Sequence, residues 1–148
     1  MRAFHFPLDR VIAWRQTQAS LERQKIELLV REMGELAARA ARLEASRLAA
    51  QGEIRRGGEV RGQDLAALEL FNRRLTRETA ALSAAWRDLE RRLAEQRARY
   101  MEARRRCELL ERLRGRRLAA WNRDWDREVE TQAAENYLSR WTGHLPPA

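Results

Sequence analysis

From Ile26 onward the apolar residues fall three and then four apart: Ile26, Leu29, Met33, Leu36, Ala40 and Leu43, followed in the same rhythm by Arg47, Ala50 and Ile54. Such a stripe runs along one side of a helix, and sustained over several heptads it marks a coiled-coil seam more than the broader face of a globular helix. Arg47 is the one charge in the run and is expected to turn its head outward along its aliphatic stem. Upstream, Val11, Trp14, Leu21 and Leu28 keep the same period offset by one residue, which extends the expected seam back toward Pro7. Proline suits the first turn of a helix, where its missing N–H is not needed.

A second run follows Leu65, Leu68 and Phe71: Leu75, Thr79, Leu82, Trp86, Leu89, Leu93, Gln96, Tyr100, Ala103, Cys107 and Leu110. Between the runs stands the only cluster of helix breakers, "AAQGEIRRGGEVRGQD", with Gly52, Gly57, Gly58 and Gly62. Glycine costs roughly 1 kcal/mol against alanine inside a helix, so four in a short window predict a turn. The expected fold is all-α: one long antiparallel two-helix coiled-coil hairpin, with helix 1 over about 7–55, a hinge at about 56–63 and helix 2 over about 64–141. Folding the chain about the hinge sets Leu43 opposite Leu75, Leu36 opposite Leu82, Met33 opposite Trp86, Leu29 opposite Leu89, Ile26 opposite Leu93 and Trp14 opposite Ala103.

The two arms are unequal, so the last ~30 residues of helix 2 are expected to overhang, at about 1.5 Å per residue. There the seam turns polar at Arg114 and Arg117, and the stretch beyond holds Leu118, Trp121, Trp125, Val129, Tyr137 and Trp141 in a locally acidic setting. Unpaired aromatics of this density predict a protein partner. A short third helix folding back is equally compatible with the pattern.

Composition agrees with long helices. Charged residues make up 35% of the 148 residues, while Gly numbers 7 and Pro 3, too little punctuation for a fold rich in turns. The net charge of +8 favours an acidic protein face, nucleic acid or anionic lipid. Nearly every base is arginine, Lys25 being the only lysine, and arginine forks onto carboxylates and phosphates alike.

The segment "RARYMEARRRCELLERLRGRR", Arg97 to Arg117, has nine arginines against three glutamates. Tyr100, Ala103, Cys107 and Leu110 hold the seam in it, while Arg97, Arg99, Arg104, Arg105, Arg106 and Arg112 take the other faces. Glu102, Glu108 and Glu111 stand three or four residues from arginines and are expected to pair along the helix, each pair adding about 0.2–0.5 kcal/mol. The run is therefore a solvated coil face with a positive excess. No helix-turn-helix, zinc finger or basic region beyond a zipper accompanies it, so no specific nucleic-acid partner is expected.

Chemistry is sparse. "GGEVRGQD" has the outer glycine spacing of a phosphate loop, but Gln63 and Asp64 stand where Lys and Ser/Thr are required. His5 and His144 are at opposite ends of the chain, and Cys107, the only cysteine, falls on the seam. The expectation is no enzyme, no metal and no cofactor. A single cysteine fits a reducing cytoplasm. The opening residues lack the apolar core of a secretory signal, and no run of ~18 apolar residues occurs.

The opening "FHFPLDRVIAWRQTQASLERQKIELL" resembles the amino-terminal signature of the FliJ family of flagellar export proteins, with alternating aromatics, then Leu, an acidic residue and a small apolar pair ahead of an Arg/Gln/Glu helix. The glycine hinge and "LELFNRRLTRETAAL" also fall where FliJ proteins have theirs. The resemblance implies an antiparallel coiled coil similar to the rotor stalk of rotary ATPases. It implies a cytoplasmic component, peripheral at the inner membrane through its partners, that couples a hexameric export ATPase ring (FliI) to the export gate (FlhA) and works with export chaperones.

By the same resemblance Phe71, Leu75 and Leu82 correspond to a gate contact, and Arg114, Arg117, Trp121 and Trp125 would approach the ATPase ring. Seam duty is the competing role for Leu75 and Leu82. The chain departs from the family near its end, with Ala134 and Glu135 where many members have an Asp-Glu pair. Alternatives are the equivalent injectisome stalk, a basic coiled coil binding nucleic acid or anionic membrane, and a homodimeric four-helix scaffold.

Overall fold

Backbone hydrogen bonds decide where the helices begin and end. The computed structural model describes residues 3–142, with side chains described through Trp141. Helix α1 runs Asp9–Arg56 and α2 runs Gly62–Thr142, 48 and 81 residues, and no strand occurs among the described residues. Pro7 and Leu8 form a turn in which the Asp9 N–H donates to the Phe6 carbonyl at 3.2 Å, so α1 starts just after the expected proline. Asp9 in the first turn and Arg55 and Arg56 in the last complement the helix dipole.

The Gly57 N–H closes α1 on the Glu53 carbonyl at 3.1 Å, and Gly58 then takes a φ of +72°, which a side chain would strain. Asp64 opens α2 by accepting the Arg61 N–H on its carboxylate at 3.2 Å, half of a capping box. The expected antiparallel all-α hairpin is the fold. No described helix is long and apolar enough to cross a membrane. Helix α2 continues unbroken to Thr142, so a third helix folding back before that point is excluded.

Two units make up the chain, residues 20–101 and residues 1–19 with 102–148. In the first, the hinge-side unit, Leu29, Leu89 and Leu93 form the core with Ile26, Met33 and Leu36 packed against it, as the expected pairing of Leu29 with Leu89 and Ile26 with Leu93 requires. Leu75 and Leu82 are buried in the same seam. Arg47 turns outward as expected and meets Glu44 at 2.6 Å.

One layer of this seam is polar. Gln96 is buried, and its side-chain amide donates to the Glu22 carbonyl at 3.1 Å and to the Glu22 carboxylate. The expected offset stripe is thereby corrected: Leu21 and Leu28 are exposed at 45% and 56%, and the seam position is Glu22. Keeping the heptad continuous back from Ile26 lands on Glu22, Ala19, Arg15 and Ile12, whereas the offset stripe would require the helix to rotate by one residue, about 100°. Continuity of the paired coil outweighs the greater local hydrophobicity.

A candidate interaction region in the terminal unit

In the second, terminal unit, residues 3–8 lie as a non-helical strap ahead of α1. Phe6 is the most buried large side chain among the described residues, 1% exposed, with the Arg117 guanidinium 6.0 Å from its ring centre. Phe4 packs on Trp121 with centroids 6.1 Å apart and rings tilted by 57°, and Trp121 stacks on Trp125 at 5.5 Å and 22°. Asp9 accepts from the Arg114 guanidinium at 2.9 Å. The strap thus covers the part of α2 where pairing was expected to stop.

Three of the four residues expected at an ATPase ring accordingly meet the strap or the start of α1: Arg114 with Asp9, Arg117 with Phe6 and Trp121 with Phe4. Trp125 is 40% exposed at the edge of the cluster. Beyond it Val129, Tyr137 and Trp141 are exposed on α2, flanked by Asp126, Glu130 and Glu135. The six residues of strap extend the contacts of α2 beyond what counting helix residues suggests.

The predicted partner of Trp14 is also corrected. Trp14 is 53% exposed with the Arg15 guanidinium 4.8 Å above its ring, and Ile12 is buried in its place. Ala103 lies half-buried in the seam and Cys107 is buried. The Cys107 thiol stands 3.6 Å from a Glu111 carboxylate oxygen, and burial, then the negative charge of Glu111, push its pKa up, so it stays a protonated, poor nucleophile.

Two of the expected ion pairs form along α2, Arg104 with Glu108 at 2.9 Å and Arg106 with Glu102 at 3.0 Å. Glu111 instead accepts from Gln16 of α1 at 2.9 Å. Among the described residues no group of three or more His, Cys, Asp or Glu is placed to hold a metal ion. His5 is exposed, and His144 lies outside the described residues.

Of the three residues expected at an export gate, Leu75 and Leu82 are 7% and 9% exposed and belong to the hinge-side seam. A partner reaches them only if the helices part. Phe71 is half-buried and opens onto a groove beside the hinge with Ala50, Ile54, Val60 and Leu68, rimmed by Glu53 and Glu59. Phe6 and Asp9 stand out in the sequence only through the family resemblance, Gln96 only as a seam position, and Glu22 not at all. Only a strict backward extension of the heptad would have flagged Glu22. No protein-family model, no curated protein and no solved structure matches this chain.

Proposed function

We propose that this chain is a non-enzymatic stalk of a type III export apparatus of the flagellar kind, coupling a hexameric export ATPase (FliI) to an export gate (FlhA) and assisting export chaperones. The observation that carries it is the far end of α2: past the strap the helix runs on to Thr142 with Val129, Tyr137 and Trp141 exposed at 47%, 68% and 70%. A long helix end with exposed aromatics suits a narrow ring pore, where large apolar side chains gain most from exclusion of water. Phe71, at its groove beside the hinge, is the surface this reading gives to the gate. Location follows from the partners, in the cytoplasm and peripheral to the inner membrane.

The test is ATP hydrolysis by a purified hexameric export ATPase with and without the full chain at moderate salt. Stimulation is expected, and Tyr137→Ala with Trp141→Ala should remove most of it while circular dichroism stays unchanged. Trp121 is a poor probe because its loss also releases Phe4. A chain that neither binds nor stimulates the ring ends the proposal.

A further inference from the structure

The Gln16–Glu111 hydrogen bond reveals which sides of the two helices lie together in the terminal unit. Gln16 directly follows the seam position Arg15, and Glu111 directly follows Leu110, so the residues one step after the seam share one side. Residues one step before the seam must share the other. They include Val11 before Ile12, Trp14 before Arg15, Leu109 before Leu110 and Leu113 before Arg114.

These four are large, apolar and open to solvent. Val11 and Leu113 are 38% and 36% exposed, Trp14 and Leu109 53% and 55%. Two packed cylinders leave a trough on each side of their seam, and the exposures and heptad positions assign Val11 and Leu113 to its floor and Trp14 and Leu109 to its walls. Charge is segregated across the same seam. Glu108 and Glu111 lie on the Gln16 side. Near the trough, Arg116 stands three residues from Leu113 on the same side, and Arg10, Arg105 and Arg112 stand three or four from Trp14 or Leu109 on the helix backs, Arg105 and Arg112 being equally near Glu108. All four arginines are exposed, and none makes an ion pair among the described residues. The one glutamate on this side, Glu102, is held by Arg106.

We propose that this trough is a docking site for an acidic amphipathic helix of another protein, which would complete a three-helix layer with Val11, Trp14, Leu109 and Leu113. Concavity selects a helix over a bilayer, since a flat surface meets the walls but not the floor. The unpaired arginine rim selects flanking carboxylates. Two copies of a chain with net charge +8 repel at long range, which disfavours a self-complex. The site is separate from the projecting end of α2, so it stands or falls independently of the proposed ATPase contact.

The probe is a fluorescein-labelled synthetic helical peptide with leucine at seam positions and glutamate on both flanks, titrated with the full chain and read by anisotropy; a lysine-flanked peptide of the same length is the comparison. Expected are saturable binding of the acidic peptide only, and affinity lower by about tenfold or more in Trp14→Ala/Leu109→Ala and in Arg112→Glu/Arg116→Glu. The equally charge-changed control Arg39→Glu/Arg42→Glu, on the hinge-side unit, should bind as the parent does. All these positions are exposed, so circular dichroism should not change.

Four results overturn the proposal. One is loss of binding to the same degree in the control, which is non-specific attraction. Another is insensitivity to Trp14→Ala/Leu109→Ala. The third is sedimentation of the chain as a self-complex that Trp14→Ala dissolves. The last is tighter binding to phosphatidylglycerol vesicles than to the peptide, lost with the same apolar pair.

Discussion

The Gln96 amide bridges both the main-chain carbonyl and the carboxylate of Glu22, placing a hydrogen-bonded polar pair where a coiled coil ordinarily puts two apolar side chains. Such a layer costs stability relative to leucine but favours one alignment of the helices, since a shifted register leaves the amide unpaired. Gln96→Ala should lower unfolding free energy by about 1–2 kcal/mol in urea titrations. Replacing both residues by leucine should instead raise Tm and relax register, detectable as mixed cross-links between cysteine pairs placed along the helices.

The same pair predicts a pH dependence. The Gln96 hydrogen bond, then that from Lys25, holds the Glu22 carboxyl below its ordinary range. Because the folded value is lower than the unfolded one, the contribution is present above the ordinary carboxylate range and is lost as pH falls through the lowered folded value. Melting curves from neutral pH to about pH 3 should fall less steeply for Glu22→Gln than for the parent.

Phe6 is the anchor of the strap, and its loss should be felt in the terminal unit. Phe6→Ala removes a fully buried ring, a change of roughly 3–5 kcal/mol in a packed core. Hydrogen exchange should accelerate over Arg114 to Trp121, while amides at Leu29, Leu89 and Leu93 keep their protection. Uniform acceleration along the chain would refute this local role.

Cys107 should react slowly with iodoacetamide at neutral pH and rapidly in denaturant, because its buried thiol stays protonated. With the folded pKa above the unfolded one, its contribution is intact below the free thiol's range and fades as pH rises toward the raised value. Fast native-state alkylation would contradict the burial.

Two glycines should respond in opposite directions. Gly115 lies within α2 with nothing near an added methyl group, so Gly115→Ala should stabilise by about 0.5–1 kcal/mol. Gly58 has a left-handed backbone, and Gly58→Ala should destabilise by about 1 kcal/mol. Chemical denaturation of the two variants reads both.

Periodicity alone carried the fold. The alternation of three and four from Ile26 to Leu43 and from Leu75 to Leu110, broken only at the glycines, specifies two helices and one turn, because a long amphipathic stripe has no way to leave water except against a matching stripe. It also located Leu29, Leu89 and Leu93 in the core and Arg47 outside it. Tertiary structure decided the rest. In the hinge-side unit, once Leu29 and Leu89 met, Glu22 was carried inward and Leu21 outward, and in the terminal unit Ile12 is buried while Trp14 and Val11 are exposed, against their hydrophobicity. Likewise Phe4 and Phe6 follow no helical period, and their capture of Trp121 and Arg117 depends on where two distant segments of the chain come to lie, a distance no local pattern encodes.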